Sequence, residues 1–407
     1  MQVWGFKNSN NIAYSIMFIF DEPYISDIAM DYLIHSQQPV LPTSFSSKVM
    51  PSGINFVSDD EARLLIEQSN NGWLYTNSEN AIARIVDLLG SESALMNKVQ
   101  MFKNKLRFRV ATEGFFPDIY FREISKDEIE PLAFDSIGRP FIIKPTVGFL
   151  SAGVYRVDNE YEWNDVKNEI IEKTNSGSDS FSKDVIDGSK FLIESIVEGV
   201  EYAIDAYFDD NNEPVILNIL EHRFNGVHDM GDRLYVTSVD IIRKNFKNIE
   251  KFLKDIGSID DFRGFPLHAE VRIDEEGVVR PIEVNPLRFA GWCSTDIAYY
   301  AFDINVYEYF IEKKRPFWDE IFKGKEGCEF AIAILEKNKV VPENCHFDYE
   351  SLQASLTSLI AIRPIDYRNQ PLFAFMFIKV DSGNSNELLE LLTLDPQRYV
   401  KPDTVPV

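Results

Sequence analysis

Two acids and an amide stand where apolar strands would be expected to carry core residues. The run "LHAEVRI" (267–273) holds Glu270, and "VRPIEVNP" (279–286) holds Glu283 and Asn285 two positions apart. Residues two apart on a strand share a face. The intervening "DEEG" reads as a hairpin turn. A four-residue turn pairs Ile273 with Val278, which sets His268 opposite Glu283 and Glu270 opposite Pro281. Glu270 and Glu283 are then diagonal neighbours, roughly 7–8 Å apart at the backbone. Carboxylates so placed repel, and one stays protonated unless a cation sits between them. Two carboxylates and an amide oxygen are hard ligands that suit Mg²⁺ or Mn²⁺. The competing reading is a solvated face on which His268 or Arg272 neutralises the acids. The hairpin alone leaves the two readings evenly balanced.

Other segments carry weaker signals. "PFIIKPTVGFLSAGVYRV" reads as strand, glycine loop, strand, with Lys144 at the end of the first strand and Gly148, Ser151 and Gly153 in the loop. Such a loop can bring backbone N–H groups against phosphate. It is not a Walker loop, and two glycines in a turn are more often only a turn. "FLIESIVEGVE" adds Glu194 at a strand end and Glu201 beyond it, which alone read as solvated acids. "NKVQMFKNKLRFRV" supplies Lys98, Lys103 and Lys105 on one long helix expected from Ser91 to Gly114. Glu221, His222, Arg223, His228, Arg233, Trp292 and Cys293 are candidates for a substrate pocket. Arg223, at a strand end, could bind a substrate carboxylate, and a solvated strand end is an equal alternative.

These residues need a scaffold. The chain has 407 residues, 45% of them hydrophobic and 26% charged, enough for two or three globular domains. Its formal net charge of −24 disfavours nucleic acid and anionic lipid as partners. The apolar run at 12–20 reads as a buried strand rather than a targeting segment, and no stretch approaches the ~20 apolar residues of a membrane span. Cys293, Cys328 and Cys345 form no CxxC pair, which points to reduced thiols and a cytoplasmic protein. Strands alternate with helices capped at Ser58 and Ser78 in the first ninety residues, giving a small α/β domain. The middle is richer in strands, with a polar loop at 174–190. The last eighty residues read as an appended α+β unit.

The order of the pieces is the specific feature. A lysine on a helix is followed by strand-Lys144-Pro with a glycine loop. Glu194 and Glu201 follow, then Glu270, then Glu283 and Asn285. In this order the chain resembles the ATP-grasp superfamily over roughly residues 90–325, in particular its carboxylate–amine ligases of the D-alanine–D-alanine ligase and L-amino-acid ligase type. The resemblance implies an α/β (α+β) ATP-grasp fold in four parts. These are an N-terminal α/β pre-ATP-grasp domain (1–92), a small subdomain with the lysines and glycine loop (93–190), a large subdomain with the adenine and metal sites (191–325), and a C-terminal α+β extension (326–407).

It also implies roles. Lys98 and Lys144 would hold the α- and β-phosphates of ATP, with Lys98 chosen over Lys103 and Lys105 because it follows an asparagine near the helix start. The loop from Gly148 through Ser151 to Gly153 would close over the phosphates. Glu194 would accept from the adenine amino group, and the backbone of Ser195, Ile196 and Val197 would read the adenine edge. Glu201 would bind the ribose, and Ile142 and Ile282 would sandwich the ring. Glu270, Glu283 and Asn285 would hold Mg²⁺ or Mn²⁺. Many relatives place an arginine and paired glycines directly after Asn-Pro. Here the run is "NPLRFAGWC", with Leu287 inserted and Ala290-Gly291 replacing the glycine pair, and Arg288 is the residue expected to meet the transferred phosphoryl group.

The implied chemistry is activation of a small carboxylate as an acyl phosphate, transfer to an amine, and release of ADP and phosphate. Arg288 and Lys144 would act by charge neutralisation. The partners would be small-molecule carboxylate and amine substrates, with a homodimer compatible. Other ATP-grasp chemistry (thioester formation, carboxylation or phosphorylation) and a non-catalytic ATP-binding protein are the rival readings.

Overall fold

The computed structural model of the protein describes residues 16–69, 73–146, 153–175, 190–226, 229, 231–383 and 386–403. The N-terminal part is a parallel sheet of β1 (Met17–Ile19) between β2 (Val40–Leu41) and β3 (Leu74–Thr76). Residues 16–20 of the apolar run are all buried. The helices start where the caps place them. Ser58 forms a capping box with Glu61 ahead of Asp59–Gln68, and Ser78 caps Glu79–Leu89.

The long helix expected from 91 to 114 is two helices, Ala94–Lys103 and Lys105–Thr112. Asn104 lies between them in an extended conformation (φ −88°, ψ 105°), and its side chain accepts from the Arg107 amide at 3.0 Å. Asparagine competes for backbone hydrogen bonds in this way, so it ends one helix by capping the next.

A four-stranded antiparallel sheet follows, in the order β4 (Phe121–Ser125), β7 (Lys190–Ser195), β5 (Phe141–Pro145), β6 (Tyr155–Val157). It closes its own apolar core, which includes Phe141, Ile143, Trp163 and Ile193.

The largest layer is an eight-stranded antiparallel sheet. Its strands are β8 (Val200–Phe208), β9 (Pro214–His222), β10 (Leu234–Ser238), β11 (Pro266–Ile273), β12 (Val279–Pro286), β13 (Cys328–Glu336), β15 (Leu359–Pro364) and β16 (Leu372–Asp381). Across the sheet the order is β12-β11-β8-β9-β10-β13-β16-β15. The residues after 326 are therefore not a separate layer. Three of their strands extend the sheet that carries the acids, and β14 (Cys345–Phe347) pairs with β17 (Val400–Pro402) beside it. The helix Val239–Gly257 packs on β9 through a face that includes Ile242, Ile249 and Phe252.

The N-terminal part is bonded directly to the large sheet's loops. The Trp73 amide donates to the Gly264 carbonyl at 2.8 Å, and the Thr76 amide to the Leu287 carbonyl at 2.7 Å. Leu287, the inserted residue, sits at φ 59° and so turns its carbonyl toward β3.

Candidate active site

The β11–β12 hairpin differs from the expected register. The turn is one residue longer, so Ile273 pairs with Val279 and Arg272 with Arg280. A bulge then skips Ile282, and Glu270 pairs directly with Glu283, His268 with Asn285. Pro281 has no N–H to give the ladder, which favours a bulge at this point. The bulge has a consequence for the site: consecutive residues Ile282 and Glu283 both face the same cavity, which strict alternation forbids.

The acids are not neutralised in the way a solvated face would need. His268 Nδ1 is 2.8 Å from the fully buried Asp205, and its Nε2 is 3.7 Å from Glu270. Arg272 bonds Glu201 at 3.1 Å and the Val197 carbonyl at 2.8 Å. Burial first, and then the facing Glu283, push the Glu270 carboxyl well above the usual range. Burial also acts to raise Glu283, but Lys105 (3.5 Å), Lys144, Asn285 and Arg288 outweigh it and hold its carboxyl low. The Asn285 amide donates to Glu283 at 3.3 Å. Among the described residues no three His, Cys, Asp or Glu side chains converge on a metal position. The donor set is two carboxylates with one amide. That fits Mg²⁺, which commonly takes one or two protein carboxylates and fills its shell with phosphate and water.

A cavity of about 440 Å³ opens on one side of the pair. It is lined by Ile142, Lys144, Glu194, Ser195, Ile196, Val197, Glu201 and Ile282, along with both acids. Glu194 and Lys144 face each other from neighbouring strands as a buried ion pair. Burial works against the Glu194 charge, but Lys144 and Arg109 overcome it and draw its pKa down to about 2. Burial foremost pulls the Lys144 pKa down. Gly199 is required here, because at φ 118° a Cβ would meet the Ile273 carbonyl oxygen at 2.5 Å. Gly153 sits at φ 75° beside Val154, which lines the cavity. Gly148 and Ser151 lie outside the described residues.

Lys98 requires a correction. It does not line this cavity: its ammonium donates to the Asp261 carbonyl in a separate depression that also includes Trp73 and Arg263. Lys103 pairs with Glu79 at 2.5 Å. Lys105, the first residue of the second helix, is the helix lysine that lines the cavity, with its ammonium 3.5 Å from Glu283 on β12. Arg109, one turn further, was not singled out from the sequence. It is buried, bonds Glu194 at 2.8 Å and donates to the carbonyls of Pro281 (2.8 Å) and Ile282 (3.3 Å). The i, i+4 spacing of Lys105 and Arg109 was the available signal.

On the other side of the acids lies a second cavity of about 420 Å³, which shares Asp232, Glu270 and Glu283 with the first. Asn285, Arg288 and Trp292 line it. Arg288 is 3.6 Å from Glu79 and donates to the Phe289 carbonyl at 3.1 Å. Arg223 is a second correction. It is held by Glu221 (2.8 Å) and Glu329 (2.7 Å) and lines neither cavity, since neighbouring acids on β9 and β13 capture its guanidinium. Arg233 bonds the Leu392 carbonyl and also lines neither. His222 lines the first cavity, bonded to Glu201 at 2.8 Å and stacked on Tyr235. Cys293 is buried, and burial pushes its thiol up to about 12. His228 lies outside the described residues.

No curated protein sequence matches the chain. Solved structures do match at low identity. An L-amino acid ligase from Bacillus licheniformis superposes with a TM-score of 0.64 at 14% identity, over 97% of this chain and 100% of its own. N5-carboxyaminoimidazole synthase from Aspergillus clavatus, in complex with ADP, gives 0.61 at 11%, over 94% and 99%. Biotin carboxylase from Campylobacter jejuni gives 0.59 at 11%, over 91% and 89%. The ATP-grasp domain family matches residues 137–296, the span that holds Lys144, Glu194, Glu201, both acids, Asn285 and Arg288. No helix among the described residues is long and apolar enough to cross a membrane. Residues 137–296 match the ATP-grasp domain family, and the chain shares its fold, the ATP-grasp fold, with these solved structures.

Proposed function

We propose that the protein is an ADP-forming carboxylate–amine ligase. The observation that carries this reading is the pair of cavities that meet at Glu270 and Glu283. One has the size and mixed lining of a nucleotide site. The other can hold an acceptor whose reactive oxygen lies at the same acids. Phosphoryl transfer from ATP to a carboxylate needs two ligands brought to one point with charge neutralised there.

In this reading Ile142 and Ile282 sandwich the adenine, Glu194 accepts from its amino group, and the backbone of 195–197 reads its edge. Glu201 takes the ribose. Lys105 and Lys144 face the phosphates. Glu270, Glu283 and Asn285 would hold Mg²⁺, which when bound would offset the negative charge of the phosphates. Arg288, on the acceptor side, orients the carboxylate and meets the phosphoryl group as it transfers. Arg109 positions rather than reacts: it fixes Glu194 and the bulge carbonyls together. The walls of the two cavities keep water from the acyl phosphate until an amine attacks its carbonyl carbon and phosphate leaves. Three unpaired cysteines and the use of ATP support a cytoplasmic setting.

The test is ADP release from Mg·ATP with pools of amino acids, small carboxylates and amines. ADP formation that depends on both a carboxylate and an amine is the expected result. ADP formation supported by bicarbonate alone, or none with any pool, overturns the reading.

A further inference from the structure

The second cavity has a polarity gradient that follows rungs of the large sheet. At one end Glu283 pairs with Glu270. The next partners across the sheet are Ala203 on β8 and Leu220 on β9. Further on, Tyr235 of β10 pairs with Ile332 of β13. Ile334 shares the face of Ile332, two residues away, and pairs with Phe375 of β16. Trp292 stands against Phe375, ring centroids 6.0 Å apart. All of these side chains line the cavity. Adjacent strands are about 4.8 Å apart, so Leu220 lies roughly 10 Å from the strand of Glu270. Among the described residues, β13, β16 and the turn before β16 contribute Ile332, Ile334, Gln370, Pro371 and Phe375 to the lining, with no charged side chain.

An acceptor placed here has its ends assigned by chemistry. Its carboxyl group belongs at the acid end, beside Arg288. Whatever is attached to that carboxyl must lie over Leu220 and toward β13. A charged group seated on Leu220, Ile332, Ile334 and Phe375 would give up water with no charged partner on that wall, and Asp232, which also lines the cavity, already accepts from the Tyr235 hydroxyl at 2.8 Å. A very small acid would leave the aliphatic and aromatic wall wet. We propose that the activated acid carries a bulky, uncharged aliphatic or aromatic side chain, seated over Leu220 and against Ile332, Ile334, Trp292 and Phe375. The segment after residue 326 thereby supplies, with Leu220 and Trp292, the surface that selects the acid. This inference rests on the ligase reading above.

The experiment offers Mg·ATP and hydroxylamine, which captures an acyl phosphate as a hydroxamate whatever the natural amine is. The acids are glycine, leucine, phenylalanine, aspartate, lysine and 4-methylpentanoate. Leucine, phenylalanine or 4-methylpentanoate should exceed glycine, aspartate and lysine by at least about 10-fold in kcat/KM, since small differences in apolar fit are worth 10–200-fold. Ile334→Asp should cut kcat/KM for the preferred acid by about 10-fold or more while ATP affinity, read by calorimetry, is retained. Ile334→Ala, a milder change in a half-buried position, should show the same direction if the aspartate variant fails to fold. Equal turnover of all acids, or preference for a charged one, overturns the proposal and leaves the ligase reading standing. Hydroxamate from no acid overturns both.

Discussion

Glu270 and Glu283 are direct cross-strand partners on the wall between two cavities. Two acids in that position are poor stabilisers of a sheet, because like charges directly opposite each other are unfavourable. Under the proposed function, a cation brought by the phosphates of a nucleotide would offset that repulsion. If Glu283 holds that cation, Glu283→Gln should fold, should require much more Mg²⁺ or Mn²⁺, and should lose about 10²–10³ in ADP formation. Turnover within a few-fold of wild type at ordinary Mg²⁺ would sink the metal role.

Two of the helix lysines, Lys98 and Lys105, can be separated by calorimetry. Lys105 lines the first cavity and Lys98 does not. Lys105→Ala and Lys144→Ala should each weaken ATP binding by about 10-fold or more, the scale of losing one charge-assisted hydrogen bond to phosphate. Lys98→Ala should leave ATP affinity within about two-fold. The reverse pattern would restore Lys98 as the phosphate lysine.

Ligand-dependent melting gives an independent check. Repulsion between Glu270 and Glu283 should persist with ATP alone, and Mg²⁺ alone lacks the phosphates that complete its shell. Mg²⁺ with ATP should therefore raise the melting temperature by more than the sum of the separate shifts, as expected when both bind only the folded state and each improves the other's site. Strictly additive shifts in a thermal scan argue against a shared site.

The Glu194 ion pair predicts an acid limb of stability. Its folded pKa is drawn down to about 2 from an ordinary value of 4.5. A group depressed on folding stabilises the protein above its unfolded pKa and loses that contribution as pH falls through the folded one. Denaturant unfolding should show stability declining between about pH 4.5 and pH 2. Glu194→Gln should flatten that limb. At neutral pH it should cost about 3–5 kcal/mol, because Lys144 and Arg109 are left buried without their counter-charge. An unchanged acid limb in the variant would assign the decline to other carboxylates.

What the sequence showed and what it hid have separate physical causes. Glu270 and Glu283 stood out because each is a charge set into an apolar strand, whereas Lys144, Glu194 and Glu201 were singled out by the order of the pieces, Glu194 and Glu201 reading alone as solvated acids; all five line the first cavity. The lysine choice failed because it assumed one helix, and the break depends on how Asn104 spends its side chain. The hairpin register failed for a similar reason: one extra turn residue and a bulge after Pro281 shift the pairing. Arg109 was hidden because a helix arginine looks solvated until its partners on β7 and β12 are in place. The joining of β13 and β16 to the large sheet is a long-range pairing, which local sequence pattern does not encode.

The four-stranded sheet has an apolar core separate from the one that unites the rest of the described chain. A body with its own core can detach without unfolding, and it can also unfold without the remainder doing so. The first cavity lies on the seam between these two bodies, with Lys144 and Glu194 on one and the acid pair on the other. Amide protons of β5 and β7 should consequently exchange with solvent by a lower-energy route than those of β8 and β9. A bound nucleotide, touching both sides of the seam, would close that route and slow the exchange of one body by gripping the other.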